Sequence, residues 1–200
     1  AILTQVDLKI VDSETSNIDI PTLNETYSLQ VTDSGIKIET QNSFGASRAF
    51  ATLIQLMDVL PSHEEDHKAY AIYQALVNDY PDFPWREVMI DGARHYIGID
   101  NIKRQMDAMA ISKFNVMHLH LVDAESFPLK LDEAPQSDLF KGAYHSGFYY
   151  SNKDLEDLQN YAIARGIVFY PEIDMPGHAY SWREADPSII AQCPSYVSNI

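Results

Sequence analysis

The apolar positions change their rhythm along the chain. Near the start they alternate with polar neighbours over short stretches, at Val6-Leu8-Ile10, Tyr27-Leu29-Val31 and Ile36-Ile38. A period of two predicts strands with one buried face. Between the last two stretches stands Thr32-Asp33-Ser34-Gly35, whose Asp and Gly supply the side-chain bonding and positive φ of a hairpin turn. A helical period follows, with Phe50, Leu53, Ile54 and Met57 on one stripe. It predicts a helix over 44–60, opened by Asn42 or Ser43 and stopped by Pro61. Residues 62–68 are polar and read as a loop, and 70–77 return to strand composition. The run Asn78-Asp79-Tyr80-Pro81-Asp82-Phe83-Pro84 breaks any continuing element and marks a boundary. Residues 1–80 are thus expected to form a small α+β domain.

After the boundary, short apolar runs alternate with helical periods: strands at 88–91, 115–122 and 167–173, helices at 101–113 and 152–165. Strand, helix, strand in that order requires parallel pairing, so 81–200 reads as an α/β region. Asp100 is the expected cap of the first helix. Ser151 with Asp154 forms a capping-box pattern for the second, and Gly166 closes it. With 200 residues, a complete barrel of about 250 residues plus a companion domain does not fit.

Composition narrows the function classes. Hydrophobic residues make up 46% and charged residues 22%, which is enough apolar material for a folded core. A formal charge of -15 repels phosphate backbones and anionic lipid, so neither nucleic acid nor a membrane surface is an expected partner. The apolar stretch from Val116 to Val122 is interrupted by His118 and His120 and falls far short of the roughly 20 residues of a spanning helix. Cys193 stands alone, so no bridge within these residues is expected. The start at Ala1, without Met or an apolar leader, fits a mature secretory chain. Asn24-Glu25-Thr26 is a glycosylation sequon in a polar, turn-like stretch.

A parallel β/α sheet carries its chemistry beyond the C-terminal ends of its strands. Here those ends read Asp91-Gly92-Ala93-Arg94-His95, His120-Leu121-Val122-Asp123 and Glu172-Ile173-Asp174-Met175-Pro176-Gly177-His178. The junctions at the other end, Lys113-Phe114-Asn115 and Arg165-Gly166-Ile167, carry only ordinary terminal chemistry. Each group also has a plainer reading. Arg94 can be the ion-pair partner of Asp91, and Asp174 with His178 can brace a Pro-Gly turn. His118 and His120 share a strand face, which suits either buried hydrogen-bonded imidazoles or the ligands of a metal-dependent hydrolase. The acidic runs Glu64-Glu65-Asp66 and Asp132-Glu133 read as solvated loops, not as catalytic pairs.

Taken together, Asp91-Gly-Ala-Arg-His-Tyr, Met106-Asp-Ala-Met-Ala, the run from Lys113 to Pro128, and the run from Arg165 to Trp182 resemble the opening of the catalytic barrel of family 20 β-N-acetylhexosaminidases. The resemblance covers about residues 82–183, and Tyr27 to Met57 is similar to the small α+β domain that precedes that barrel. It implies the first units of a TIM-type (β/α)8 barrel. It also implies a retaining exo-glycosidase that removes terminal β-linked N-acetylglucosamine or N-acetylgalactosamine without metal or other cofactor. In such enzymes the substrate's own acetamido oxygen is the nucleophile, an exception to the two-carboxylate scheme. Their Asp-Glu catalytic pair follows a later strand and is expected here beyond residue 200, so the 200-residue piece alone is expected to be inactive.

Residue by residue, the resemblance makes Arg94 a ligand of the sugar hydroxyls. Asp123 and His178 become a supporting relay toward the acid/base Glu. Asp174 lines the pocket, with Glu172 behind it. The chain departs from the family in having Asp123-Ala124-Glu125 where many members have two aspartates, and Leu119 between His118 and His120 where an aromatic residue often stands. A carbohydrate substrate, a secreted or lysosomal location and pairing into a homodimer complete the expectations. The alternative is a catalytically inactive carbohydrate-binding relative.

Overall fold

A computed structural model describes residues 5–12, 20, 23–60, 69–132 and 137–191. Cys193, Pro61, Glu64-Glu65-Asp66 and Glu133 lie outside them. The chain gathers into two compact units, one of Ala1–Glu87, Met106–Val116 and Arg165–Val168, the other of Val88–Gln105, Met117–Ala164 and Phe169–Ile200.

The first unit is built on a four-stranded sheet. Strands β1 (Val6–Ile10), β2 (Tyr27–Thr32) and β3 (Gly35–Thr40) appear where the period of two places them. The hairpin register sets Leu29 opposite Ile38 and Val31 opposite Ile36, so the alternating apolar residues share one face. Helix α1 (Ser43–Gln55) covers that face with Ala49 and Leu53, and its N-cap Asn42 accepts the Gly45 N–H. The helix is shorter than the predicted 44–60. Met57–Leu60 is instead strand β4, paired antiparallel with β5 (Ala69–Ile72). The predicted stripe was also rotated: Phe44, Ala46, Ala49 and Leu53 are buried, whereas Phe50 and Ile54 are 39% and 66% exposed. Met57 therefore does not extend a buried helical face, and hydrogen bonding to β5 decides its conformation. The strand composition of 70–77 resolves into β5 and β6 (Ala75–Asp79), the latter joining β2 at the edge of the sheet order β1-β3-β2-β6.

A buried polar network holds this unit. Glu25, with a side chain 1% exposed, accepts from Arg48 Nε at 2.7 Å, Arg86 Nη2 at 2.7 Å and Asn115 Nδ2 at 3.1 Å. Arg48 Nη2 donates to the Gly166 carbonyl, and Lys113 Nζ reaches Asp79 and the Tyr27 hydroxyl. The helix-to-strand junctions at Lys113–Asn115 and Gly166 therefore do more than end their elements. Residues distant in sequence satisfy one buried carboxylate, which is the condition for burying it.

Beyond β6 come β7 (Glu87–Asp91), α2 (Ile99–Ile111), β8 (Val116–His120), the short strands β9 (Leu129–Lys130) and β10 (Tyr150–Ser151), α3 (Asn152–Ile163) and β11 (Val168–Glu172). Helix α2 starts earlier than expected, because the Gly98 carbonyl already accepts the Asn101 and Ile102 N–H groups. Asp100 is thus inside the first turn, where its charge meets the positive end of the helix, rather than at the cap. Ser151 and Asp154 form the expected capping box, and Gly166 takes the expected left-handed backbone with φ 66°.

Strands β7, β8 and β11 form a sheet in the order β11-β8-β7. Val116 N–H reaches the Arg86 carbonyl near the start of the strands, and Gly92 N–H reaches that of His120 at their end. Val168 N–H to Asn115 and Leu121 N–H to Glu172 keep the same sense, so the three strands are parallel. In the second unit, Leu119, Leu121, Phe127, Tyr150 and Leu158 are fully buried. Gly92 is needed where it stands, since a Cβ there would come within 2.9 Å of the Tyr150 hydroxyl.

Candidate active site

The titratable groups at the C-terminal ends of β7, β8 and β11 meet within the second unit. Asp91 ends β7 and folds back on its own loop: Oδ1 accepts the N–H groups of Ala93 at 3.0 Å and Arg94 at 2.9 Å. This Asx turn, with Gly92 against Tyr150, fixes where Arg94 leaves the backbone. The Arg94 guanidinium donates through Nη1 to Asp91 Oδ2 at 2.9 Å, its Nη2 forms an ion pair with Asp123 Oδ2 at 2.6 Å, and Nε stands 3.9 Å from Glu125. One of its five N–H bonds is spent on Asp91, and 46% of the side chain stays exposed.

Asp123 follows β8 and is 2% exposed. Its loop is closed by its own N–H to the Ser126 carbonyl, by the Ala124 N–H to Oδ1 at 2.7 Å, and by the Ser181 hydroxyl to its carbonyl at 2.6 Å. Burial pushes its proton affinity up. A hydrogen bond shared with the Glu125 carboxyl, those from the Ala124 N–H and His120, and the Arg94 charge outweigh that and hold it below the usual carboxylate range.

His120 links this group to β11. Its Nε2 lies 3.4 Å from Asp123 Oδ2 and its Nδ1 2.8 Å from Glu172 Oε2. The same Glu172 oxygen takes His118 Nε2 at 2.6 Å, and the His118 ring stacks on Tyr170 at 4.6 Å between centroids. Hydrogen bonds from His120 and His118 depress the Glu172 pKa against a smaller effect of burial. For His120, burial works against the charged ring, but Glu172 and Asp123 raise its pKa above the ordinary value.

The β11 loop brings in His178. Its backbone has φ 59°, a left-handed conformation, and Nδ1 bonds Asp174 Oδ2 at 2.8 Å. The ring meets His120 edge-on at 6.1 Å. Ligand-type atoms of His120, Asp123 and His178 all lie within 4.8 Å of one another.

Of the residues singled out in the sequence, Arg94, Asp123, Glu172 and His178 gather here, with Asp174 joined through His178. The plainer contacts, Arg94 to Asp91 and Asp174 to His178, are also present and belong to the same constellation. His120 is the member that the sequence offered only as a buried imidazole or a metal ligand, not as the link between Asp123 and Glu172. Its signal was its position, one strand end away from both an Asp and a Glu. The trio His120, Asp123 and His178 has the donor types of a metal site. The neighbouring charge speaks against one: Asp123 Oδ2 already holds an arginine at 2.6 Å, so a second cation on that oxygen would meet a fixed like charge. His118 and His120, the pair open to a metal reading in the sequence, converge on a carboxylate instead.

Residues 83–199 match the model of "Glycosyl hydrolase family 20, catalytic domain", and residues 1–56 match "beta-acetyl hexosaminidase like". The chain belongs to glycosyl hydrolase family 20. Among curated relatives of this family-20 chain, beta-hexosaminidase subunit A1 of Dictyostelium discoideum is 36% identical over 94% of this chain and 34% of its own length. The beta subunit of beta-hexosaminidase from Mus musculus is 33% identical over 92% of this chain and 33% of its own length. A solved chitobiase of Flavobacterium johnsoniae is 31% identical, with a TM-score of 0.73 over 92% of this chain and 26% of that one. An exo β-N-acetylglucosaminidase of Vibrio harveyi, solved with N-acetylglucosamine, is 29% identical, with a TM-score of 0.73 over 94% of this chain and 30% of that one. The chain spans about a third of the length of the curated relatives it matches.

Proposed function

We propose that the complete protein is a retaining exo-glycosidase that releases terminal β-linked N-acetylglucosamine or N-acetylgalactosamine from glycoconjugates. The observation that supports this most is that Arg94, Asp123 and His178 share one polar cluster at the ends of parallel strands, in a chain of family 20. The acetamido oxygen of the bound sugar attacks the anomeric carbon while a carboxylic acid, expected beyond residue 200, protonates the departing oxygen. Water then opens the cyclic intermediate, giving its proton back to that carboxylate, and two inversions leave the β configuration. Arg94 fits the sugar-gripping role: its charge is fixed by Asp91 and Asp123, and its remaining N–H donors suit neighbouring hydroxyl oxygens. Asp123 is held ionised beside the imidazole of His178, as a relay that raises the basicity of the missing Glu requires. Asp174 orients His178, and Glu172 supports the cluster from β11.

The same reading extends the three parallel strands to a (β/α)8 barrel over residues 81–200 and beyond, preceded by an α+β domain over 1–80, in a homodimer of the secretory or lysosomal route. No helix among the described residues is long and apolar enough to cross a membrane. Asn24 carries a glycan in this reading. It is exposed, its Oδ1 is occupied by the Thr26 N–H at 3.0 Å, and the loop sits at the start of β2. An endoglycosidase-sensitive mass on the secreted protein, absent from Asn24→Gln, tests this; an unchanged mass sinks it.

The central test of the site is Arg94→Lys in the complete protein. Lysine keeps the charge and loses the fork, so turnover of an aryl N-acetyl-β-glucosaminide is expected to fall at least about tenfold. Wild-type turnover in a correctly folded variant would remove Arg94 from the sugar site.

A further inference from the structure

We infer that His120 is a positioning residue that carries a proton on each ring nitrogen and locks the Asp123 carboxylate in place for the relay. This rests on the glycosidase reading above. His120 is 7% exposed, and each of its two nitrogens faces a carboxylate oxygen: Nδ1 faces Glu172 Oε2 at 2.8 Å, and Nε2 faces Asp123 Oδ2 at 3.4 Å. A neutral imidazole has one donor and one lone pair. Either tautomer would therefore aim a lone pair at an anionic oxygen, and only the imidazolium satisfies both sides.

The groups around it favour that form. Glu172 on β11 faces it directly, and hydrogen bonds with His120 and His118 hold its carboxyl below the ordinary range. Asp123 faces it from the loop after β8, and Asp91 at the end of β7 adds negative charge. Against them stand the Arg94 guanidinium, tied to Asp91 and Asp123, and the edge of the His178 ring at 6.1 Å. Burial also opposes the charge, and the carboxylates win, which raises the affinity of the ring for its second proton.

The consequence falls on Asp123. Its Oδ2 pairs with the Arg94 guanidinium at 2.6 Å and faces His120 Nε2, and its Oδ1 receives the Ala124 N–H. Those three contacts fix the plane of the carboxylate beside His178. Loss of the His120 proton would remove one of them and place a lone pair against Oδ2, loosening Asp123 and raising its proton affinity. His120 acts through Asp123 and touches no reacting atom.

Two substitutions separate the ring's two contacts in the complete enzyme. The amide nitrogen of Asn occupies the Nδ1 position, so His120→Asn keeps the Glu172 contact and loses the one to Asp123. The amide nitrogen of Gln occupies the Nε2 position, so His120→Gln keeps the Asp123 contact. With an aryl N-acetyl-β-glucosaminide, His120→Asn is expected to lose about tenfold in kcat with KM nearly unchanged, and to alter the alkaline limb of the pH profile. His120→Gln should retain most of kcat. Equal losses in both variants, following their loss of thermal stability with an unaltered pH profile, would reduce His120 to a structural role and overturn the proposal. If neither variant folds, nitrogen-15 shifts of the wild-type ring decide: two protonated nitrogens near pH 7 support it, and a neutral ring overturns it. An inactive wild-type enzyme would instead sink the glycosidase reading and this inference with it, whereas active wild type with equal variants sinks the inference alone.

Discussion

Glu172 shows how one side chain earns its place by what it accepts. A single oxygen takes both His118 and His120, at 2.6 and 2.8 Å, and these bonds draw its pKa below the ordinary 4.5. A carboxylate whose folded pKa is depressed contributes stability above its unfolded value and loses that contribution as pH falls through the folded one. His120 has the opposite sign: its pKa is raised from 6.5, so its contribution is complete below that value and fades as pH rises through the folded one. The network is therefore tightest at mildly acidic pH. Thermal denaturation of the complete protein should show wild type more stable than Glu172→Gln near neutrality, with the gap closing as pH drops below about 4.5. A gap that stays constant down to pH of about 3 would mean that the carboxylate charge of Glu172 does not matter. Sequence reasoning had Glu172 only as a residue behind the pocket, because nothing in the spacing of one strand tells which histidines a neighbouring strand will bring to it.

Elements were legible where local signals agreed. The strands around Leu29 and Ile38 combine period-two alternation with an Asp-Ser-Gly turn, and they formed in the register that buries both. The second α/β helix had both ends written into it, by Ser151 with Asp154 and by Gly166. The first helix failed at its end because Met57-Asp-Val-Leu60 continues an apolar stripe on paper while its backbone is claimed by β5, a partner the local pattern does not name. The rotation of α1 was missed for a related reason. Alanine and glycine at 45, 46 and 49 let the helix approach the sheet, whereas the larger Phe50 and Ile54 that drew attention face outward. Asp100 was misplaced by only two residues, since glycine at 98 starts α2 without a side-chain cap. In the first unit, the Glu25 network was invisible from sequence because its members come from positions 25, 48, 86 and 115.

For the molecule as a whole, the parallel order of strands predicted where chemistry would collect, and the second unit carries its charged cluster there. Arg94, Asp123 and His178 are separated by 84 positions from first to last, yet the three strand ends bring them into one cluster. The central claim is that this cluster grips a sugar whose own acetamido group does the displacement, so that configuration at the anomeric carbon is kept. Proton NMR of the sugar first released when the complete protein cleaves an aryl N-acetyl-β-glucosaminide tests this directly. The β anomer should appear first, with the α anomer growing in only by mutarotation. An α anomer as the first product, or no cleavage at all, would contradict the account.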